Sequence, residues 1–501
     1  MKAFHWMAAG CLVLSLSGCA LLSPVIETPA PRATVVDPRF SPLIGDIEQI
    51  VRQTMRGNRI PGLSIALADS RGPIWEVGFG YADDARTNPV DGDTLFSIQS
   101  MSKTFAAVGV LTAVRDGLLA LDNPISRYVP DFRVQSIFEN RPQDRITLRH
   151  LLTHTAGFTH EAPGGGNYDP AEPSFDEHAA AIARTWLMFR VGERYQYSNL
   201  GIDLAGFILE RVSGRSYPEY LRDRVFGPLG MERSTADPSE IRAASNRAAG
   251  HQPGFTDLPV VAPMMAAGGV YSTAHDLSIF LSAMLRKGRG ADELLGPAEF
   301  REMETTPNNG GYGLGVNIGR RDGDLFFEHG GGGYGFLSDM AWYPTLDIAV
   351  VVLTNSSAHN GAQVALAAKV VDLLVERGAV KKLSSLTYLP VCGIELGAFK
   401  DDAWYFDAHP EQARWKEQWG RYLGSYRLSV YATPCWYTRL AISVGLPRAA
   451  FVKVSRKGDG MELDGVPLLE QEPGLFFTKV GEALDFRSDP PTWRNIALAK
   501  R

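Results

Sequence analysis

The stretch SMSKTFAAVGVLTAVRDGLL occupies residues 100–119. Its mostly apolar run from Met101 to Leu119 predicts a helix that is buried in the protein core. Ser100 and Lys103 stand at the start of this helix, three positions apart on one face, which lets a hydroxyl and an amine touch. A serine becomes a nucleophile when a neighbouring base takes its proton, and a lysine is such a base when burial favours its uncharged form. The plain alternative is a capping serine beside a solvated lysine.

Tyr197-Ser198-Asn199 is a second polar motif, directly before a predicted helix that starts near Leu200. A phenol at this place can carry a proton between nucleophile and leaving group, and an amide side chain can hold both a lysine and a substrate carbonyl. Taken alone, the motif equally fits a helix cap in which Ser198 or Asn199 caps the helix and Tyr197 packs beside it.

His329-Gly330-Gly331 is a third motif, at the end of a predicted strand over Asp324–Glu328 and at the start of a run of four glycines. Residues without a Cβ let a substrate lie against a strand edge, and the backbone N–H of Gly332 can then join that of Ser100 in binding an oxyanion. The alternative is a glycine-rich hairpin turn. The glycine spacing also resembles a dinucleotide-binding loop, but a strand follows it where that motif requires a helix, so we exclude this function.

The segments around the motifs predict an α/β (α+β) fold. A helix over Leu43–Arg56 precedes a hairpin with strands over Gly62–Ala68 and Pro73–Tyr81. Further helices are predicted over His178–Phe189, Leu200–Val212, Tyr217–Val225, His275–Arg286 and Gln363–Arg377, and further strands over Gly313–Gly319, Asp324–Glu328, Leu337–Tyr343 and Ile348–Leu353. This order predicts an antiparallel sheet flanked by helices plus a helical subdomain, with the catalytic cleft between them.

The last hundred or so residues differ in composition from the rest and hold five of the nine tryptophans of the chain. Short strand-like segments separated by Gly, Pro and Asp turns predict a small β-barrel-like domain over 386–501. These segments are Tyr422–Tyr431, Ala441–Val444, Phe451–Val454 and Leu475–Lys479.

The composition of the 501 residues restricts the classes of partner. Lys and Arg number 50 against 56 Asp and Glu, which gives a net charge of −6 and disfavours nucleic acid as a partner. Hydrophobic residues make up 45% and charged residues 21%, which is typical of a folded globular protein.

The N-terminus has the pattern of a secretory leader. Lys2 precedes an apolar run over Trp6–Leu16 that is about half the roughly 20 residues needed to span a bilayer. The predicted leader covers residues 1–18, and the segment Leu16-Ser17-Gly18-Cys19 at its end and the following residue resembles the lipobox of bacterial lipoproteins, which predicts lipidation of Cys19 as the mature N-terminus. Gly18 and Ala20 also fit an ordinary cleavage site that would leave a soluble product. Five prolines within Ser23–Pro42 predict an extended tether over residues 19–42.

Cys392 and Cys435 are the two cysteines that remain after the leader is removed and Cys19 is lipidated. In an oxidising compartment they can form a disulfide, which would close a loop of about 43 residues and contribute about 4 kcal/mol. Two buried thiols are the alternative.

The three motifs in this order resemble the serine β-lactamase and penicillin-binding-protein superfamily, in its class C-like esterase and D-aminopeptidase branch. The resemblance covers roughly Phe40–Arg377, within a hydrolase domain that we place at 43–380. It extends to the segments Gly78–Asp83, Asp93–Phe96, Leu151–Gly157, Pro228–Met231 and Leu353–Asn355. The C-terminal domain resembles the lipocalin-like barrels appended to some members.

This resemblance implies a role for each motif residue. Ser100 is the acylated nucleophile, Lys103 and Tyr197 share the proton transfers, and Asn199 positions Lys103 and substrate. The backbone N–H groups of Ser100 and Gly332 form the oxyanion hole. His329 and Gly331 contribute to substrate binding.

His329 replaces the lysine of the Lys-Thr-Gly element of true β-lactamases. Histidine is largely neutral at pH 7, so the fixed ammonium that would bind a β-lactam carboxylate is missing. The resemblance therefore implies an esterase or a peptidase.

We expect a serine hydrolase that forms an acyl-enzyme on esters or D-amino-acid amides and peptides, without a cofactor or a metal. The alternatives are a class C-like β-lactamase and a non-catalytic envelope protein that binds muropeptides or a protein partner. We expect a bacterial cell-envelope location, lipid-anchored on the periplasmic face of the outer membrane, with membrane contact only through the N-terminal lipid.

Overall fold

A computed structural model describes most of the chain from residue 37 onward. The described residues are 37–136, 138–160, 162, 173–253, 258–289, 294–306, 311–321, 323–359, 361–380, 414–428, 451–478, 483–487, 489–493 and 496–500. The leader, Cys19, nearly all of the tether and the pair Cys392 and Cys435 lie outside these residues, so their predicted roles stay predictions.

The part of the chain up to residue 380 contains both α-helices and β-strands. Its α-helices are α1 (Ile44–Asn58), α2 (Ser102–Arg115), α3 (Leu148–Leu152), α4 (Phe175–Ala183), α5 (Asn199–Ser213), α6 (Tyr217–Leu221), α7 (Gly227–Leu229), α8 (Pro238–Ala243), α9 (Met265–Gly268), α10 (Ala274–Arg286), α11 (Pro297–Met303) and α12 (Ala362–Glu376). Its strands are β1 (Gly62–Asp69), β2 (Gly72–Gly80), β3 (Phe96–Ser97), β4 (Tyr271–Ser272), β5 (Asn317–Arg321), β6 (Asp324–Gly333), β7 (Phe336–Tyr343) and β8 (Ile348–Thr354).

Six of these strands form one antiparallel sheet in the order β2-β1-β8-β7-β6-β5. The predicted hairpin is confirmed, with Gly62 opposite Gly80 and Asp69 opposite Gly72. The first and last strands of this sheet along the chain, β1 and β8, are neighbours and pair antiparallel. The antiparallel sheet and the mixed α/β class predicted from the sequence are therefore confirmed.

The sheet lies between two layers of helices. On one face, α1 and α12 bury Val51 and Leu366 against β1 and β8 residues such as Ile65 and Val350. On the other face, α2, α5, α9 and α10 form a larger core with the opposite side of the same strands. Residues 102–113 of α2 are all buried, which confirms the predicted buried helix. The start of α2 is thereby held beside the sheet.

The start of one helix shows how capping chemistry outweighs apolar periodicity. The helix predicted to start at His178 begins at Phe175, because Ser174 and Glu177 form a capping box. The same helix ends at Ala183, several residues before the predicted Phe189. The Ser-x-x-Glu pattern was present in the sequence and gives the correct start.

Two carboxyl groups are buried together on neighbouring strands, on the face covered by α12. Asp339 of β7 lies opposite Gly330 and Glu328 of β6 opposite Ala341, so the two carboxyls are diagonal neighbours on one face. Burial raises the pKa of Asp339 to about 8. Burial, together with the charge of Asp339, also raises the pKa of Glu328. One proton or more therefore stays on the pair at neutral pH.

Asp339→Asn is expected to stabilise the protein at high pH. The folded pKa of Asp339 lies above its value in the unfolded chain, so the stability it contributes is present below about pH 4 and is lost as the pH rises through about 8. The substitution removes that loss, and the free energy of unfolding should rise by about 1–3 kcal/mol at pH 9 while changing little at pH 5. Thermal unfolding at the two pH values measures this, and Glu328→Gln should act in the same direction. Equal shifts of Asp339→Asn at both pH values would contradict the account.

The C-terminal part is a small barrel. Its strands are β9 (Gly424–Leu428), β10 (Phe451–Lys457), β11 (Gly460–Leu463), β12 (Val466–Glu472), β13 (Leu475–Thr478), β14 (Ala483–Asp485), β15 (Thr492–Trp493) and β16 (Ile496–Lys500). Each pairs antiparallel with the next, and β16 returns to β9, so the ring closes. Trp419, Tyr426, Met461 and Phe476 are among the side chains that fill its core. The β-barrel predicted for this region is confirmed.

Within the described residues, no helix has both the length and the apolar character needed to cross a bilayer.

Candidate active site

Ser100 lies in a short 3-10 helix, Gln99–Met101, that runs directly into α2. The preceding residue, Gln99, has φ +50°, a left-handed conformation that is uncommon for a residue with a side chain. Two hydrogen bonds hold the turn: Ser102 Oγ donates to the Gln99 carbonyl (2.6 Å) and accepts from the N–H of Val270 (3.1 Å). The half-buried Ser100 hydroxyl is therefore presented by a fixed backbone, and its N–H belongs to the first helical turn, where amides lack an intrahelical acceptor.

Lys103 is buried completely, one helical turn after Ser100. Its Nζ lies 3.0 Å from Ser100 Oγ and donates to the backbone carbonyl of Ala267 at 2.8 Å. The same Nζ lies 4.9 Å from the ring centre of Tyr197. The structure thus brings together the three residues that the motifs predicted as nucleophile, base and proton carrier.

The Tyr197-Ser198-Asn199 segment combines a cap with the approach to Lys103. Ser198 is the N-cap of α5, since its Oγ accepts the N–H of Gly201 at 3.2 Å. The N–H of Ser198 donates to His154 Nδ1 at 3.2 Å. Asn199 is buried in the first turn of α5. The capping interpretation and the catalytic one therefore apply to different residues of the motif, and the role of Asn199 in positioning Lys103 stays a prediction.

Both ring nitrogens of His329 are already engaged. Burial, with the nearby charge of Lys103, lowers the pKa of His329 to about 3, so the ring is neutral at pH 7. Nδ1–H donates to the Gly330 carbonyl at 2.7 Å, because a carbonyl only accepts. Nε2 of the neutral ring then accepts from the Tyr312 hydroxyl at 3.0 Å. His329 therefore has no N–H left to donate to a substrate. If it binds substrate as predicted, it does so through the uncharged surface of its ring.

His154 extends this uncharged surface. It is buried, and burial lowers its pKa well below the usual value. Its ring centre lies 4.4 Å from that of Tyr197 and 4.7 Å from that of Tyr312. The neighbours of Lys103 on this side are therefore neutral aromatic rings. The bond that His154 Nδ1 accepts from the N–H of Ser198 is a structural one.

Gly331 is needed for packing as well as for access. The strand β6 continues through the glycine run to Gly333, so the prediction that the motif ends the strand is wrong. A Cβ on Gly331 would lie 2.1 Å from the carbonyl oxygen of Ile98 and 3.1 Å from Cβ of Gln99. The missing side chain thus lets β6 lie directly against the turn that presents Ser100. Gly332 follows in the same strand, which keeps its N–H a candidate for the oxyanion hole.

Two contributors were missed by the sequence analysis. Tyr312 begins the segment Tyr312-Gly313-Leu314-Gly315, and Gly315 has φ +67° with its would-be Cβ 2.6 Å from the Lys103 carbonyl. Closely spaced glycines between a tyrosine and a strand could have flagged this close approach. Ala267 acts through its backbone carbonyl, which no side-chain pattern reveals.

Among the described residues, no group of three or more His, Cys, Asp or Glu side chains is placed to hold a metal ion.

Comparison with known families gives one extended match. The family model described as Beta-lactamase matches residues 47–374. Unguisins hydrolase ungD' of Aspergillus campestris is 28% identical over 356 residues, which cover 66% of this chain and 65% of that protein. Protein flp of Staphylococcus aureus strain MW2 is 28% identical over 189 residues, covering 38% of this chain and 37% of that protein. The chain thus spans less than two thirds of the length of these relatives.

Solved structures show the same fold at lower identity. The octameric penicillin-binding protein homologue from Pyrococcus abyssi aligns over 90% of this chain and 95% of its own, with a TM-score of 0.57 and 23% identity. SurE with D-Leu aligns over 92% of this chain and 100% of its own, with a TM-score of 0.57 and 21% identity. The Beta-Lactamase/D-Alanine Carboxypeptidase from Pseudomonas syringae covers 66% of this chain and 99% of its own, with a TM-score of 0.56 and 23% identity.

Proposed function

The chain belongs to the Beta-lactamase family, and on that premise we propose that it is a serine hydrolase working through an acyl-enzyme on Ser100. The observation that carries the proposal is the 3.0 Å contact between Ser100 Oγ and Nζ of the fully buried Lys103. A buried amine is favoured in its uncharged form, in which its lone pair can accept the hydroxyl proton.

The proposed reaction has two halves. Lys103 takes the proton of Ser100, and Oγ attacks the substrate carbonyl carbon to form a tetrahedral oxyanion. The N–H groups of Ser100 and Gly332 stabilise that charge. The bond to the leaving alcohol or amine breaks, and this group departs with the proton that Lys103 took, delivered through Tyr197. In the second half, the Lys103–Tyr197 pair takes a proton from a water molecule whose oxygen attacks the acyl carbon. The bond between the acyl carbon and Oγ then breaks, Ser100 takes that proton back, and the carboxylic acid product leaves.

We propose uncharged esters or D-amino-acid amides and peptides as the substrates. The neutral rings of His329 and His154 near Lys103 support this choice, because they give a substrate carboxylate no cation to pair with. By the resemblance to the superfamily, true β-lactamases carry a lysine at the position of His329. Retention of the Ser100–Lys103 contact argues against a purely binding role, since a receptor has no need of a proton relay.

Steady-state kinetics on matched substrates test the proposal. We expect kcat/KM for p-nitrophenyl acetate or butyrate to exceed that for a chromogenic cephalosporin by at least about 100-fold, because the cephalosporin carboxylate lacks an ion pair. A D-alanine anilide distinguishes the peptidase branch from the esterase branch. Cephalosporin turnover that rivals ester turnover would indicate a β-lactamase. Muropeptide binding without any turnover or labelling of Ser100 would indicate a receptor.

The location of this activity is proposed from the sequence. From the predicted leader and Cys19 we propose that the protein is anchored by a lipid in the bacterial cell envelope. We also propose that the C-terminal barrel is lipocalin-like. Mass spectrometry of the N-terminal peptide from envelope membranes tests the anchor.

A further inference from the structure

The backbone carbonyl that accepts a hydrogen bond from Lys103 lies on a short helix whose position is fixed by other contacts. Ala267 belongs to the four-residue helix α9, and its carbonyl accepts a hydrogen bond from Lys103 Nζ at 2.8 Å. A helix this short has little internal hydrogen bonding to fix its orientation. The position of the carbonyl therefore depends on what α9 binds.

A buried carboxylate anchors α9. Asp203 of α5 is completely buried, and its Oδ1 accepts the N–H of Ala266 at 3.0 Å and that of Ala267 at 2.9 Å. The two helices are also in close contact, since a Cβ on Gly206 would lie 2.5 Å from Cβ of Ala266. The residue whose carbonyl binds Lys103 is thus held at its own N–H by the side chain of Asp203.

A histidine fixes the orientation of that carboxylate. His178 of α4 is completely buried, and its Nε2 lies 3.1 Å from Oδ2 of Asp203. One carboxylate oxygen therefore faces α9 and the other faces the imidazole, which prevents the group from rotating. The contacts run without a break from His178 through Asp203 and Ala267 to Lys103 and Ser100.

We propose that Asp203 and His178 are positioning residues for the base Lys103, an inference that rests on the proposed function. An uncharged amine has two N–H bonds and one lone pair in a tetrahedral arrangement. When one N–H is committed to the Ala267 carbonyl, the lone pair has fewer directions left, and Ser100 Oγ at 3.0 Å lies in reach. Displacement of α9 would misdirect the lone pair while leaving the substrate-binding surfaces in place.

The test measures the rate at which a fluorophosphonate labels Ser100, and its dependence on reagent concentration gives kinact and KI. The fraction of protein labelled at the end of the reaction gives the number of folded active sites. We expect Asp203→Ala to lower kinact about 100-fold with KI unchanged, since misplacing a catalytic group by about 1 Å can cost that much. Asp203→Asn keeps an oxygen that can accept both N–H groups, so kinact should return to within about tenfold of the parent.

A matched control separates positioning from stability. Asp276 of α10 is also a buried carboxylate that accepts a backbone N–H, that of Arg233 at 3.0 Å, and a hydroxyl, that of Ser234 at 2.7 Å. Asp276→Asn should lower the thermal midpoint and leave kinact of the folded sites at the parental value.

Each outcome decides the proposal. Parental kinact in Asp203→Ala, or an equal fall in Asp276→Asn, would overturn it. If Asp203→Ala yields no folded protein, His178→Asn decides: a roughly tenfold lower kinact with unchanged KI supports positioning, and a parental kinact overturns it. Failure of the proposed function looks different, because the parent itself would then not be labelled at Ser100.

Discussion

Ser100→Ala is expected to lower kcat/KM by at least about 10⁴-fold for every ester that the parent hydrolyses. The variant lacks the oxygen that forms the acyl bond, and Lys103 Nζ loses its contact with that oxygen but keeps its hydrogen bond to the carbonyl of Ala267. The half-buried hydroxyl contributes little to packing, so the thermal midpoint should stay within a few degrees of the parent.

The control for Ser100→Ala is another serine hydroxyl. Ser278 of α10 is buried, and its Oγ donates to the carbonyl of His275 at 2.7 Å. Ser278→Ala should keep parental kcat/KM. Ester turnover by Ser100→Ala above about 1% of the parental rate would place the nucleophile elsewhere.

Lys103→Met is expected to lower kcat/KM by about 10²- to 10⁴-fold, the range for loss of a positioned general base. Methionine fills a similar volume without an amine. Because the replaced amine is completely buried, the thermal midpoint should remain equal or rise. Active-site titration and thermal unfolding of the same preparation measure both effects.

Lys103→Arg distinguishes a base from a fixed positive charge. A guanidinium stays protonated and cannot accept the hydroxyl proton, so this variant should be as inactive as Lys103→Met. Substantial activity in Lys103→Arg would mean that Lys103 acts through its charge, and activity above about a tenth of the parental value in Lys103→Met would exclude it as the base.

The sheet and its flanking helices were predictable because their residues carry strong local signals. The apolar run of α2, the hairpin turn before Gly72 and the apolar strand β8 each have one plausible reading. The extent of β6 was not predictable, since glycine is a weak strand former. The strand continues because Gly330–Gly333 pair with Phe336–Asp339 of β7, and the missing side chain of Gly331 lets it lie against Ile98.

The side chains of the candidate site were predictable as types and spacings, whereas their hydrogen-bond states were not. The sequence indicates that Ser100 and Lys103 can touch, and the structure has them in contact. That His329 has both nitrogens occupied depends on Tyr312, which is distant from the motif. The anchoring of the Ala267 carbonyl by Asp203 joins residues more than sixty positions apart through backbone atoms. Such long-range polar contacts leave no periodic trace in a sequence.

Peptide-mapped mass spectrometry after a brief exposure to p-nitrophenyl butyrate, quenched in acid, tests the acyl-enzyme claim most directly. We expect a butyryl adduct on the peptide that contains Ser100, absent from Ser100→Ala and accumulating more slowly in Lys103→Met. An adduct on a different residue, or ester turnover with no adduct on that peptide at any quench time, would contradict it.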